Sequence, residues 1–138
     1  MTTIEHLNSE GSKDKDAEKR FIVTCTSGFE KIANARSALM FASLAAAADF
    51  KTILFCIQSA VDVMVKGAIE KNETPVPGVP TLAQRLTEAL EMGVEIQCCT
   101  QTMNNKKITE DDLVPGTKPA GAMNLIDLAA NADGTICF

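Results

Sequence analysis

The sequence contains no tryptophan, no tyrosine and only one histidine, and these absences exclude several kinds of site. With phenylalanine as the only aromatic residue, the chain offers few side chains on which nucleic-acid bases or sugars stack. The single histidine, His6, lies in a polar N-terminal segment, which argues against a Cys-His dyad and against a Ser-His-Asp triad. The residues that carry chemistry must therefore be sought among other side chains.

Basic residues are also in the minority, with 13 lysines and arginines against 18 aspartates and glutamates and a net charge of -5. An acidic chain without a basic stripe is a poor binder of nucleic acid or of an anionic membrane surface. No apolar run approaches the roughly 20 residues that a membrane span needs, and residues 1–20 do not resemble a secretory signal. We therefore expect a cytoplasmic protein with no membrane span and no nucleic-acid partner.

The length of the chain suits one domain with its own core. Residues 1–19 are polar, so we expect a disordered tail there, and residues 20–138 form the single predicted domain. Short apolar runs rich in β-branched residues predict buried strands. These runs lie at 21–25, 52–57 and 94–97, and the segment 134–138 predicts a terminal strand.

Helices are predicted between these strands. Ser27 with Glu30, and Thr81 with Gln84, have the spacing of capping boxes, which predicts that a helix begins at each. Pro119 is predicted to open the last helix. Strands that alternate with helices predict an α/β fold, with an open parallel sheet of four to five strands and helices on both faces, a flavodoxin-like three-layer arrangement.

Two adjacent cysteines, Cys98 and Cys99, follow the third predicted strand. Functional groups in an open parallel sheet collect where the strands end. Thr100 and Thr102 supply hydroxyls there, and the N–H groups of a helical turn after Cys99 would stabilise a thiolate or an anionic sulfur adduct. Cα atoms about 3.8 Å apart are too close for an ordinary disulfide. The alternative is that both thiols are small buried side chains at the end of a strand.

The other cysteines and the remaining candidates indicate packing rather than chemistry. The total of five is odd, which fits free thiols in a reducing compartment. Cys25, Cys56 and Cys137 lie in predicted strands and are interpreted as core residues. Adjacent cysteines without a second pair of ligands make a poor zinc site, so we expect neither a metal nor a cofactor.

The stretch from Ile96 to Phe138 resembles the C-terminal half of DsrE-like proteins, the family that includes DsrE, DsrF and TusD. In one branch of that family, a cysteine after a buried strand is followed three and four residues later by serine or threonine and then methionine. Cys99, Thr102 and Met103 match that spacing. The order of predicted elements from residue 20 onward agrees as well.

Further short motifs extend the resemblance. An acidic segment at 110–113 is followed by Gly116, and an Ala-Asp-Gly lead-in at 132–134 precedes the last strand. The chain departs from the branch at 104–107, Asn-Asn-Lys-Lys, where a glycine-containing turn is common in the family.

The resemblance implies a cysteine-dependent sulfurtransferase or sulfur-carrier protein that acts in sulfur oxidation or sulfur trafficking. Cys99 would accept sulfane sulfur or thiosulfonate and pass it to a TusA-like or rhodanese-like protein, with Cys98 as an assisting thiol. Thr100 and Thr102 would be supporting anion donors. The resemblance also implies a homotrimer or hexamer.

Two alternatives to the sulfur carrier stay open. A non-catalytic scaffold subunit would keep the fold without needing either thiol ionised. A thiol redox-sensing subunit would oxidise at Cys98 or Cys99, for example to sulfenic acid. Serine variants at these positions separate the first alternative from a carrier, and reaction with peroxide rather than with a persulfide donor identifies the second.

Overall fold

A computed structural model describes residues 18–138, so residues 1–17 of the predicted tail lie outside the described residues. Five strands lie in this range: β1 Arg20–Cys25, β2 Lys51–Cys56, β3 Glu95–Cys99, β4 Thr117–Ala120 and β5 Gly134–Cys137. They form one parallel sheet in the order β4-β3-β2-β1-β5. The predicted parallel α/β fold is therefore confirmed.

In the described part of the chain, six α-helices connect or extend these strands: α1 Ile32–Ala47, α2 Ser59–Val63, α3 Ala68–Asn72, α4 Leu82–Glu91, α5 Thr100–Lys106 and α6 Ala122–Ala130. Two short 3-10 turns lie at Phe29–Lys31 and Glu110–Asp112. Among the helices of residues 18–138, none has both the length and the apolar character that crossing a bilayer requires.

The main core lies between one face of the sheet and helices α1 and α4, and we call this the α1 face. Side chains alternate along a strand, so every second residue of each strand points to this face. Val23, Leu54 and Ile96 supply its centre, and each is at most 1% exposed. Alanines at 35, 38 and 42 of α1 are buried against them, because small side chains let the helix approach the sheet closely.

Helix α4 begins where its capping box predicted. The Thr81 hydroxyl accepts from the N–H of Gln84 at 3.1 Å, and the Gln84 side chain accepts from the N–H of Thr81 at 2.8 Å. Leu82 and Leu86 are buried against the core. The first turn is thus defined by its own capping box, and the Glu73 carboxylate also accepts from the N–H of Leu82 at 2.8 Å.

The opposite face, which we call the α6 face, is covered more thinly. Helix α6 runs from β4 at one edge of the sheet to β5 at the other, and none of its residues is buried. It is tied to the sheet by Asn124, whose amide donates to Gln97 of β3 at 2.7 Å. Met123 and Ile126 on its outer side are 71% and 59% exposed.

The predicted start of the first helix is wrong. Helix α1 begins at Ile32 with no side-chain cap, after a 3-10 turn, and Ser27 is buried rather than capping. The Glu30 carboxylate instead accepts from the N–H of Gly28. The reason is tertiary, since the backbone of Gly28 is pressed against the backbone of Ser59.

The prediction that Pro119 opens the last helix is also wrong. Pro119 lies inside β4, and α6 begins three residues later at Ala122. Proline lacks an N–H, and it is tolerated in a strand mainly at the edge of a sheet, which is where β4 lies. Strand β4 therefore begins inside the polar segment 100–118, for which the sequence predicted no strand.

Candidate functional site

Three cysteines form a row across β1, β2 and β3, near the carboxyl ends of these strands and on the α1 face. Cys25 is the register partner of Cys56, and Cys56 is the register partner of Cys98. They are 3%, 0% and 0% exposed. The interpretation of Cys25 and Cys56 as core residues agrees with this burial, and Cys98 joins them. The same interpretation of Cys137 is wrong, because Cys137 lies on the outer strand β5 and is exposed.

Two thiols of this row hold their protons tightly. Burial raises the pKa of Cys25 from 9.0 to about 11, although its thiol donates to the carbonyl of Ser27 at 3.3 Å, which acts in the opposite direction. The hydrogen bond between the Cys56 and Cys98 thiols, together with burial, raises the pKa of Cys56 well above its ordinary value. Neither Cys25 nor Cys56 is suited to act as a nucleophile near neutral pH.

The raised pKa of Cys25 predicts a loss of stability in alkali. A thiol that keeps its proton more tightly when folded stabilises the protein below its unfolded pKa of 9.0, and that stability disappears as the pH rises toward about 11. We expect the free energy of unfolding to be lower by about 1 kcal/mol or more at about pH 10 than at about pH 8. Urea unfolding at the two pH values measures this, and Cys25→Ala should reduce the difference. An equal pH dependence in the variant and the parent would contradict it.

Cys98 and Cys99 lie on opposite faces of β3. Gln97 contacts α6, and Cys99, two residues further on, shares its face. Cys98 packs instead with the core of the α1 face. The structure therefore does not bring together the two thiols that the sequence placed side by side.

Cys99 marks the junction of a strand and a helix at the carboxyl edge of the sheet. It is the last residue of β3 and the N-cap of α5, which confirms the predicted helical turn. Its side chain makes no capping hydrogen bond, and the residue is 5% exposed. Its register partner on β4 is Ala120, and α6 begins two residues after Ala120. The first turns of two helices thus start close to Cys99.

The two predicted anion donors have different environments. Thr100 is the first residue of α5 and is partly exposed. Thr102 is 8% exposed, and its hydroxyl accepts from the N–H of Gln58 at 3.1 Å. Thr102 therefore joins the turn after β3 to the turn after β2, and Thr100 is the hydroxyl left nearer the surface.

Gln58, which the sequence did not point to, has a strained backbone. Its φ of 53° and ψ of -129° lie in a region that glycine enters freely and other residues rarely do. The bond to Thr102 helps to hold this conformation. No local sequence signal predicts it, because it arises from the way the turns after β2 and β3 meet.

A second close contact joins the turns after β1 and β2. A Cβ atom at Gly28 would lie 2.2 Å from the carbonyl oxygen of Ser59, so only glycine fits. Hydrogen bonds from the N–H of Gly28 and from the Ser59 hydroxyl lower the pKa of Glu30. The carboxyl edge next to Cys99 is thus built from three interlocked turns.

The lysine of α5 that lies near Cys99 in the sequence is paired with a carboxylate. Lys106 of α5 forms an ion pair with Asp62 of α2 at 3.0 Å, so it does not stand free beside Cys99. Within residues 18–138, no group of three or more His, Cys, Asp or Glu side chains is arranged to hold a metal ion.

Comparison with known proteins identifies the family. A model of the DsrE/DsrF-like family matches residues 19–138, which includes all five strands and the three interlocked turns. The chain belongs to the DsrE/DsrF-like family. The predicted family is therefore confirmed. Thr102 and Met103 are the buried residues of α5, three and four positions after Cys99, so in this DsrE/DsrF-like protein that spacing places both side chains on the inner side of the helix.

One curated relative and several solved structures are similar to the chain. The uncharacterized protein MJ0989 of Methanocaldococcus jannaschii is 30% identical over 104 residues, which is 75% of this chain and 86% of that protein. The structure of the ychN protein from E. coli has a TM-score of 0.67 at 16% identity and covers 87% of this chain and 99% of its own. MTH1491 from Methanobacterium thermoautotrophicum, a protein of unknown function, has a TM-score of 0.64 at 13% identity, with 88% and 100% covered. These structures support the fold.

Proposed function

We propose that this DsrE/DsrF-like protein is a sulfur carrier, in which Cys99 accepts sulfane sulfur or thiosulfonate and passes it to a partner protein in sulfur oxidation or sulfur trafficking. The observation that carries the proposal is the position of Cys99. It ends a strand at the carboxyl edge of the sheet, begins a helix, and lies on the other face from the row of Cys25, Cys56 and Cys98. Family membership is compatible with a role in sulfur relay.

The loading step needs no oxidant. The Cys99 thiolate attacks the outer sulfur of a donor persulfide, the donor S–S bond breaks, and the donor leaves as a thiolate while Cys99 becomes a persulfide. With tetrathionate, the Cys99 thiolate attacks one of the two inner sulfurs, the central S–S bond breaks, thiosulfate leaves, and Cys99 carries a thiosulfonate. Delivery reverses the roles, since the thiolate of the acceptor attacks the outer sulfur and Cys99 leaves.

An anionic adduct on Cys99 has donors close by. The first N–H groups of a helix lack partners within the helix and favour negative charge. Helix α5 starts at the residue after Cys99, and α6 starts two residues after its register partner. In this proposal Thr100 adds a hydroxyl donor, and Thr102 positions the turn through Gln58. Cys98 packs in the core rather than exchanging sulfur directly.

Loading is tested by intact-protein mass spectrometry after incubation with polysulfide. Because Cys137 is exposed and would react without any specific site, the comparison uses a Cys137→Ser background. We expect a mass gain of one sulfur atom, about 32 Da, that persists in Cys98→Ser and disappears in Cys99→Ser.

Three other results would favour the alternatives. An adduct that survives in Cys99→Ser, or no adduct in any variant, would contradict the carrier and favour a scaffold subunit. Reaction of Cys99 with peroxide but not with polysulfide would favour a redox sensor.

The partners in this proposal are TusA-like or rhodanese-like carriers, and the compartment is the cytoplasm, where thiols stay reduced. The proposed assembly is a homotrimer or hexamer. Exposed apolar side chains on α6, Met123 and Ile126, and on α1, Phe41 and Leu44, leave surface that such an assembly would cover.

A further inference from the structure

A cleft opens between the sheet and α6, on the same face as Cys99. Its volume is about 530 Å³. Its roof is the inner side of α6, where Asn124 and Leu128 lie one turn apart, and its floor includes Ile53 of β2 and Gln97 of β3. A cavity of this size accommodates a small organic molecule rather than only an inorganic ion.

Basic side chains outnumber acidic ones in this cleft. Arg20 of β1 and Lys51 of β2 are register partners at its far end, and Lys118 of β4 lies on its other side. Glu95 is the one carboxylate among the lining residues, and it already forms an ion pair with Lys118 at 3.4 Å. Within residues 18–138 the structure records no ion pair for the Arg20 or Lys51 side chain. In an acidic protein, this is a local concentration of positive charge.

The middle of the cleft is polar but uncharged. The Gln97 side chain donates to Glu95 and accepts from Asn124 at 2.7 Å, so its amide is oriented by partners on both sides. Ile53 and Leu128 supply apolar wall beside it. The cleft therefore combines a cationic end, oriented amides and an apolar wall, which suits an extended organic anion.

The other end of the cleft reaches the neighbour of Cys99. Ala120 and Gly121 line this end, and Ala120 is the register partner of Cys99, about 4.8 Å away across the sheet. Cys99 follows Gln97 by two residues on the same face, a rise of about 7 Å. Measured along the strands, Lys51 and Cys99 are about six residues apart, which corresponds to about 20 Å.

We propose that this cleft binds the anionic end of the sulfur donor, and that the donor is a small peptide-like persulfide carrying carboxylates. Arg20 and Lys51 bind the carboxylates, the backbone of the donor lies along Gln97 and Asn124, and the terminal sulfur reaches Cys99. In a γ-glutamyl-cysteine persulfide, the extended path from the glutamate carboxylate to the sulfur is about 10 Å, the length of about three extended residues, and the flexible Arg20 and Lys51 side chains cover the remaining length. Thiosulfate is too short to occupy both ends.

This inference rests on the proposed role of Cys99 as the acceptor of sulfur. The step is the exchange described above: the Cys99 thiolate takes the outer sulfur, and the peptide thiolate leaves. Atoms and electrons balance without a further reactant.

Binding is tested without any sulfur transfer. The probe is S-methylglutathione, which cannot react, and the protein is the full chain with Cys99→Ser. We expect calorimetric binding that weakens about tenfold in Lys51→Gln and in Arg20→Gln, as loss of one charge-assisted contact predicts. Lys71→Gln, which removes one exposed positive charge outside the cleft, should leave the affinity unchanged. No binding to the parent, or equal weakening in all three variants, would overturn the proposal.

Donor choice is tested in the protein with Cys99 intact. The measured quantity is the ratio of loading rates from glutathione persulfide and from the persulfide of 2-mercaptoethanol, which carries no carboxylate. We expect this ratio to fall about tenfold in Lys51→Gln and to stay constant in Lys71→Gln. A ratio unaffected by Lys51→Gln would contradict the cleft as the donor site. If S-methylglutathione binds, Lys51→Gln and Arg20→Gln weaken that binding, and neither donor loads Cys99, the cleft would be supported and the proposed carrier function would be contradicted.

Discussion

Replacing Cys99 with serine should stop the delivery of sulfur to an acceptor protein, lowering the rate by about 1,000-fold or more, to the level of background exchange. The reason is that a hydroxyl at this position cannot hold a persulfide, and the remaining buried thiols lie on the other face of the sheet. The measurement, made in the Cys137→Ser background because Cys137 is exposed, loads the protein with polysulfide, removes the excess, adds a TusA-like or rhodanese-like acceptor, and follows the mass of both proteins.

Cys98→Ala is the matched control for this experiment. It removes the adjacent thiol, but that thiol is 0% exposed and packs against the core of the α1 face. We expect a stability cost of about 1 kcal/mol from the small cavity and delivery at a rate within about twofold of the parent. A folded Cys98→Ala protein that delivers no sulfur would show that the two thiols act together.

Replacing Gly28 with alanine should destabilise the protein by about 2 to 3 kcal/mol. The added Cβ would lie 2.2 Å from the carbonyl oxygen of Ser59 and 2.8 Å from its carbonyl carbon, and both are backbone atoms that cannot rotate away. The turns after β1 and β2 must therefore separate. Because Gln58, next to Ser59, is bonded to Thr102, the shift should reach the turn that holds Cys99.

Urea unfolding measures this cost, and Gly121→Ala is the control. A Cβ at Gly121 meets nothing within 4 Å, and its φ of -81° suits alanine. As the N-cap of α6, it should lose only about 0.5 kcal/mol on substitution. Equal free energies of unfolding for Gly28→Ala and Gly121→Ala would contradict this prediction, because they would mean that the turns after β1 and β2 can separate without loss of stability.

Four strands and the main helices could be predicted from the sequence because the residues that define each of them are close together in the chain. The apolar runs that became β1, β2, β3 and β5 are contiguous, and Thr81 with Gln84 defines a helix start through side chains four positions or fewer apart. β4 was missed because Thr-Lys-Pro-Ala has no apolar run. Its residues become a strand only by pairing with β3 at the edge of the sheet.

The candidate site was predictable in part. The position of Cys99 after a buried strand, with Thr102 and Met103 at the family spacing, was visible in the sequence. The separation of Cys98 from Cys99 was missed because the predicted third strand ended at Gln97, whereas β3 continues through Cys99. Two adjacent residues of a strand point to opposite faces, so those two further residues of strand decide which thiol faces the core.

By itself, the sequence determined the fold class, the family and the cysteine at the carboxyl edge, since these follow from periodicity and short motifs along the chain. Only the tertiary structure decided which face each cysteine joins, the close approach of Gly28 to Ser59, and the cleft lined by Arg20, Lys51 and Lys118. Those features join residues that are far apart in sequence. Strand register and helix packing, rather than any local pattern, set the distances between them.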